Sequence, residues 1–438
     1  MLRTAPRYPW PRSAIAALSV TIALVAGDGA AAASPPDRAF KTPVARGGPQ
    51  AQAAVTAPAL RSGLTRALKR GGGGGAWVGD PETGAVLFSR RASRALQIAS
   101  NMKLFTTATA LERLGPDEQL ETRLISDGTF AGGVVQGDLV LNGGGDPSLT
   151  RRGIARLAGE ASAAGLTQVT GRLLYDETVF DRRRSVPQKG IRGGPFAEVG
   201  RLSGLSFESG RSANPAKRAA LSMIAALRKG GVDVSKKTGR GVAPELTPTP
   251  APVGTTAIEP LAEVSSAPLS ALVRSTNTFS LNFYAEMLVK SIAADVQGQG
   301  TTGAGIGIIR SFAGEAGGAV RAVNGSGLSR VDRASPASIG ALLTGMLKEE
   351  EQVRDAFLKS LAVAGGTGTL ARRMRGTAAQ GRCIGKTGTL DGVSALSGYC
   401  QVAGGRFIAF SILMNGVNVS KAHVAQDRMT AMIARYTP

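Results

Sequence analysis

Apolar residues recur along this chain with two alternating periods, near two and near three and a half, and each change of period marks an element. Ala76-Trp77-Val78-Gly79 and Ala85-Val86-Leu87-Phe88 flank Asp80-Pro81-Glu82-Thr83-Gly84, so two short strands around a Pro/Gly turn predict a hairpin. The glycines Gly71 to Gly75 before it read as a loop. From Ser100 to Leu114 the spacing is helical: Leu104, Ala108 and Leu111 share a face, and Gly115-Pro116 stops the run. Short strand-like runs alternate with glycine from Arg123 to Leu141, and Pro215 to Lys229 reads as a helix. A Thr/Pro-rich loop covers Thr247 to Thr256, and Ala267 to Lys290 is helical throughout. Ile384 to Thr389 and Leu396 to Val402 predict neighbouring strands, Phe407 to Met414 a buried strand, and His423 to Tyr436 a closing helix. Strands at both ends and helices between them predict an α+β fold whose sheet is assembled from both termini. No internal repeat interrupts this order.

The N-terminus has a different text. Arg3, Arg7 and Arg12 precede an apolar run from Ala14 to about Ala26, and small residues follow through Ala33. That is the order of a secretory signal, so residues 1–33 are expected to be cleaved near Ala33 and the protein exported, to a periplasm or to the cell wall. Residues 34–60, rich in Ala, Pro, Gln and Gly, read as a flexible linker.

Charge and rare residues narrow the chemistry. Lys plus Arg number 52 against 31 Asp plus Glu, a formal net charge of +21, which suits an anionic cell-wall surface. No zinc-finger spacing and no basic stripe interleaved with aromatics is present, so nucleic acid is not expected as a partner. The single histidine, His423, cannot build a His-rich zinc site, and no metal or cofactor is expected. A hydrolase built from this sequence would need a base other than histidine.

Lysine can be that base. An unprotonated lysine activates a neighbouring serine, and residues three apart on a helix face each other. Ser100-Asn101-Met102-Lys103 is the one Ser-x-x-Lys in the sequence, and it opens a predicted helix, whose positive end favours a developing alkoxide. Ser-x-Asn occurs at Ser212, Ser275 and Ser280, and Lys-Thr-Gly at Lys237 and Lys386. Ser280-Leu281-Asn282 is selected because it continues as Phe283-Tyr284-Ala285-Glu286 in a helical context. Lys386-Thr387-Gly388-Thr389 is selected because it lies on an apolar strand and follows Ser280 in order. Gly388 leaves room for backbone approach, and a flat strand there can pair with an extended peptide.

These segments, with Gly143-Gly144-Gly145-Asp146-Pro147 and Gly325-Ser326-Gly327-Leu328-Ser329-Arg330, resemble the low-molecular-mass class C penicillin-binding proteins, the D-Ala-D-Ala carboxypeptidase/endopeptidase family. The resemblance spans roughly residues 60 to 438. It implies a serine β-lactamase/transpeptidase-like catalytic domain in two parts, residues 61–125 and 265–438, around a large, mainly-β inserted domain at 126–264. It implies that Ser100 attacks the peptide carbonyl, Lys103 takes its proton and Ser280 relays a proton to the leaving amine. Asn282 would hold the substrate amide, Lys386 and Thr387 the terminal carboxylate, and the N–H groups of Ser100 and Thr389 the oxyanion. Asp146 and Arg330 could meet the charged side chain of a peptidoglycan stem peptide, or serve as a turn Asp and a surface Arg. Stem peptides and β-lactam antibiotics are the implied partners. Three departures stand out: Leu281 where Asp is common, Thr367 in Gly365-Gly366-Thr367-Gly368-Thr369 where the family often has a bracing Asp, and an insertion between Lys103 and Ser280 shorter than in the family's larger members, with a second subdomain reduced or missing. A serine β-lactamase or esterase on the same fold, and a non-catalytic wall-binding module, are the competing readings; three motifs in family order argue against the second.

The two cysteines depend on the hairpin. If the strands carrying Cys383 and Cys400 pair, the thiols come close enough for a disulfide; two buried free thiols are the alternative.

Overall fold

The computed structural model describes residues 53–187, 197–247 and 258–437. The expected signal peptide, most of the expected linker and most of the Thr/Pro-rich loop lie outside the described residues.

The first described element is a helix, α1 (Ala57–Arg70), whose first turn replaces the end of the linker expected at 34–60. Pro58 sits in its first turn, where a missing N–H costs nothing, and Leu60, Leu64, Ala67 and Leu68 form its buried stripe. The predicted hairpin follows, with strand Gly75–Gly79 paired to Val86–Arg90. Gly75, expected in a loop, already belongs to the strand.

Both chain ends then join one sheet. Its six antiparallel strands run in the order Ala362–Val363, Cys383–Leu390, Val393–Gln401, Phe407–Asn415, Gly75–Gly79, Val86–Arg90. The seam between the ends is the register Gly75 opposite Leu413 through Gly79 opposite Ala409. Side chains alternate across this sheet. Ala395 and Tyr399 face a core that includes Leu104, Phe105 and Leu111 of a second helix, α2 (Met102–Leu114). Leu396, Cys400 and Ile412 face the other way, onto Leu64 and Leu68 of α1 and Met429 of the closing helix.

The inserted region, residues 121–265, has its own sheet: Thr238–Arg240, Leu173–Asp176, Leu139–Gly143, Glu121–Ser126 and Ala262–Ser265. The expected boundary at residue 126 falls at the end of a strand of that sheet. A second, three-stranded sheet (Thr129–Ala131, Val134–Gln136 and Gln168–Val169) lies in the insert too, and helices join the strands there. Two helices, α3 (Arg151–Ala163) and α4 (Pro215–Lys229), bury Ile154, Leu157, Met223 and Leu227 against these strands.

The stretch expected to be one helix from Ala267 to Lys290 is two, α5 (Leu269–Thr278) and α6 (Asn282–Gln297). Ser280 breaks it with a left-handed φ of 61°. Apolar periodicity missed the break because both helices bury the same face in one core, with Val273 on α5 and Leu288 and Ile292 on α6. Three more helices, α7 (Thr302–Glu315), α8 (Pro336–Met346) and α9 (Glu351–Ser360), complete that core. The closing helix, α10 (Val419–Ile433), starts four residues earlier than expected because the Asn418 side chain accepts from Lys421 N and caps it. Among the described residues no helix is long and apolar enough to cross a membrane.

Candidate active site

Ser100 lies in a 3-10 turn, Ala99–Asn101, that leads into α2. The turn is held in an uncommon shape. Ala99 has φ 46°, and Gly327 packs so closely on its carbonyl that a side chain there would collide with it. One helical step on, Lys103 is completely buried, and its Nζ lies 3.0 Å from Ser100 Oγ. The same Nζ lies 2.7 Å from Asn282 Oδ1 and 2.8 Å from the Ser326 carbonyl. Burial lowers the Lys103 pKa to about 7, against the opposing charges of Glu286 and Glu198.

The bond count matters here. A neutral amine has two N–H donors and one lone pair. Two of its three neighbours, Asn282 Oδ1 and the Ser326 carbonyl, can only accept. They take the two N–H groups and leave the lone pair facing the Ser100 hydroxyl.

A second lysine faces the first. Lys386 is also completely buried, and its Nζ donates to Ser280 Oγ at 2.9 Å and to the Thr387 carbonyl at 2.9 Å. Its pKa is pushed well below the ordinary value by burial first and by Lys103 second. The left-handed backbone at Ser280 turns this hydroxyl off the helix ends and onto Lys386. Asn101, inside the Ser-x-x-Lys motif, donates from Nδ2 to the Lys386 carbonyl at 2.9 Å. Its Oδ1 accepts from Ser397 Oγ at 2.7 Å, so the nucleophile's turn is fastened to two strands of the sheet. Gly388 closes the gap: a Cβ there would lie 2.8 Å from the Ile98 carbonyl and 3.0 Å from Ser100 N.

Ser100, Lys103 and Asn282 thus form one hydrogen-bonded group and Ser280 and Lys386 a second, close enough for the two lysine charges to interact, and the five come from three separate stretches of sequence. The sequence profile of the D-Ala-D-Ala carboxypeptidase 3 (S13) family matches residues 65–190 and 203–436. The chain belongs to this family. A D-alanyl-D-alanine carboxypeptidase of Actinomadura sp. (strain R39) is 33% identical, over 83% of this chain and 81% of its own length. Carboxypeptidase DacB of Mycolicibacterium smegmatis is 30% identical, over 81% of this chain and 79% of its own. Penicillin binding protein 4 of Haemophilus influenzae shares the fold, with a TM-score of 0.71 at 20% identity over 84% of this chain and 97% of that one.

Other residues of this candidate site take roles that the sequence did not assign to them. Glu286, one helical turn beyond Asn282, is completely buried, and burial raises its pKa. It accepts from Gly325 N at 3.1 Å and from Ser326 N at 2.8 Å, which aims the Ser326 carbonyl at Lys103. A carboxylate within the apolar part of the helix, unlike the exposed Asp295 near its end, is the sequence signal for it. Thr369 Oγ1 lies 2.8 Å from Thr387 Oγ1, across 18 residues; nothing local marked it. Thr367 supplies bracing of its own, since its Oγ1 accepts from Val363 N at 2.9 Å. Glu198 reaches in from the insert, its carbonyl 3.3 Å from Asn282 Nδ2.

Asp146 is buried on a turn of the insert, where Oδ1 accepts from Ser148 N at 2.7 Å and Ser148 Oγ at 2.6 Å. Burial raises its pKa, and burial first and the Asp146 charge second raise that of Tyr284 on α6. Arg330 donates to the Asp391 carbonyl at 3.0 Å, at the tip of the hairpin that carries Lys386, and to Gln97 Oε1 at 3.4 Å. Thr389 lies on that same strand and is exposed. Cys383 and Cys400 stand directly opposite each other in register and form a disulfide, with Cα atoms 4.0 Å apart.

The rejected motif copies have structural work. Asn277 is buried and ties α5 to α2 and α9 through Thr107 Oγ1 and Ser360 Oγ. Asn214 caps α4, and Lys237 precedes the edge strand of the insert. His423 sits on α10, on the opposite face of the sheet from α2, and burial lowers its pKa.

Proposed function

We propose that this S13 carboxypeptidase acts through an acyl-enzyme on Ser100, with Lys103 as base, and cleaves the terminal D-Ala-D-Ala bond of peptidoglycan stem peptides. The observation that carries this reading is the Lys103 amine, whose two N–H groups have fixed carbonyl acceptors and whose third position faces the serine hydroxyl. Ser100 Oγ bonds to the carbonyl carbon of the penultimate D-alanine while its proton passes to Lys103 Nζ. The carbonyl oxygen gains the charge, and the N–H groups of Ser100 and Thr389 receive it; one such donor is typically worth about 3 to 4 kcal/mol of barrier. The C–N bond then breaks, and the departing amine takes the proton that Lys103 received, relayed through the Ser280 hydroxyl, which Lys386 holds. Water attacks the ester in the second half, giving a proton to the now neutral Lys103, which passes it to Ser100 Oγ as the acyl C–O bond breaks. Balance is complete without a metal or cofactor.

Lys386, Thr387 and Gly388 form the binding strand for the terminal carboxylate. Burial, and Lys103 after it, hold the Lys386 pKa down, and an arriving anion favours its charged form, so substrate strengthens its own anchor. Asn282 Nδ2 holds the acyl-side amide, in the place now taken by the Glu198 carbonyl. The insert, residues 121–265, reaches the site through Glu198, and Asp146 and Arg330 are the residues we assign to the charged groups of a stem-peptide side chain. Endopeptidase action needs only a different leaving amine. Residues 1–33 direct export, as their basic, apolar and small-residue order supports.

Penicillin labelling followed by intact mass and peptide mapping tests the assignment. One penicilloyl adduct on Ser100, absent in Ser100→Ala, is expected; an adduct on another serine overturns it. Following the adduct over hours separates a stable acyl-enzyme from β-lactamase turnover.

A further inference from the structure

α1 and α10 lie together on the face of the main sheet opposite the nucleophile. Two hollows flank the last turn of α1. One, of about 370 Å3, is ringed by Lys69, Arg90 and Arg91. The other, of about 220 Å3, is ringed by Arg70, Lys421 and Arg428. No Asp or Glu lines either hollow. None of the six cations has an ion pair or side-chain hydrogen bond among the described residues. The nearby carboxylate of Asp427 is already taken by Arg373.

Six unpaired cations converging on one helical turn repel each other and need a reason to stay. The dipole at the C-terminus of α1 accounts for Lys69 and Arg70. It does not account for Arg90, Arg91, Lys421 and Arg428, which come from other elements. Arg91 even adopts a left-handed backbone, φ 47°, which an L-residue with a long side chain rarely takes. The missing partner is an anion.

Its form follows from what else lines the hollows. A face that inserts into a bilayer exposes Trp, Phe or Leu beside its cations. Here the exposed apolar side chain among the lining residues is Val424, 51% accessible, with no aromatic beside it. The cations sit in recesses, three to each, on either side of one turn. We infer that this face docks a linear phosphodiester polyanion, a polymer of alternating polyol and phosphate units, with phosphates in both hollows. The site is separate from the catalytic cleft and independent of the assignment of Ser100. It would hold the enzyme on an anionic polymer while the opposite face works.

The test uses the full chain and poly(glycerol phosphate) as the probe, at about 0.15 M salt, where exposed charges more than roughly 8 Å apart are screened. Two triple variants, Lys69→Gln/Arg90→Gln/Arg91→Gln and Arg70→Gln/Lys421→Gln/Arg428→Gln, each empty one hollow. A control, Arg152→Gln/Lys217→Gln/Lys229→Gln, removes the same charge from the insert. Each hollow variant is expected to bind about tenfold or more weakly, with the control within about twofold of wild type and penicillin acylation of Ser100 unchanged in all. Three results overturn the inference: no binding by wild type, equal loss in the control, or binding to phosphatidylglycerol vesicles without binding to the soluble polymer. If a hollow variant fails to fold, as unchanged acylation would exclude, the other hollow still decides.

Discussion

Acylation of Ser100 should titrate with Lys103. The amine must be neutral to accept the serine proton, and burial brings its pKa down to about 7. A base with that pKa is about half neutral at pH 7 and roughly 1% neutral at pH 5, so the second-order acylation constant should fall about 50-fold over that span. Above pH 7 it can rise only about twofold, because half of the base is already competent. Glu286 is the leading influence that raises the Lys103 pKa against burial. Removing its charge in Glu286→Gln therefore lowers the Lys103 pKa further, and the acid limb should move to lower pH. The variant also loses one of two buried acceptors for Gly325 N and Ser326 N, a cost of about 1 to 3 kcal/mol in stability. The acylation constant can be followed by stopped flow with a chromogenic cephalosporin from pH 5 to 9 at fixed ionic strength, with thermal melting in parallel. A flat profile between pH 5 and 7, or an acid limb near the ordinary lysine value, would refute the lysine base. A limb that stays still or moves upward in Glu286→Gln would refute the coupling.

Gly388→Ala should slow acylation by about a hundredfold, since its methyl group would lie 2.8 Å from the Ile98 carbonyl and 3.0 Å from Ser100 N, and both neighbours are backbone; acylation within threefold of wild type in the same stopped-flow assay would sink that reasoning. Replacing Cys383 and Cys400 together by Ala should cost about 3 kcal/mol on the chain-entropy account of a 17-residue separation, read by urea unfolding of oxidised wild type and variant, with no loss as the contrary result. Thr369→Val should raise KM for carboxylate-ended peptides about tenfold while leaving neutral acyl esters alone, because Thr369 orients the Thr387 hydroxyl; equal loss on both substrates, or no rescue in Thr369→Ser, would point to a merely structural role.

What could be read in advance was what covalent spacing carries. Ser100 and Lys103 are three residues apart on one helix, and Lys386, Thr387 and Gly388 are consecutive on one strand, so local text sufficed. The two-ended sheet was legible because strands stay apolar and short wherever they lie. Glu286, Ser326 and Thr369 stood inside quoted segments without a role, and Glu198 stood in none, because their partners are far along the chain; Thr369 meets Thr387 across 18 residues and Glu198 meets Asn282 across 84. α1 was missed from Ala57 because the low-complexity text before it hides its start, although Leu60, Leu64 and Leu68 mark its face. The break at Ser280 was invisible to periodicity for a different reason, since hydrophobic spacing records which face is buried and not whether the backbone turns.

The seam that joins Gly75–Gly79 to Phe407–Asn415 has a consequence for how the molecule comes into being. A chain growing from its N-terminus produces Ser100 and Lys103 early, but their turn is fastened to Lys386 and Ser397, which arrive nearly three hundred residues later. Until then the first hairpin has an open edge, and the serine has no strand to brace it. Contacts so distant in sequence make folding slow, and they also make it conditional: a nascent or truncated chain ending before Asn415 carries the nucleophile without the enzyme. The last strand to be synthesised acts as a completion check, so reactive sites exist only in finished molecules.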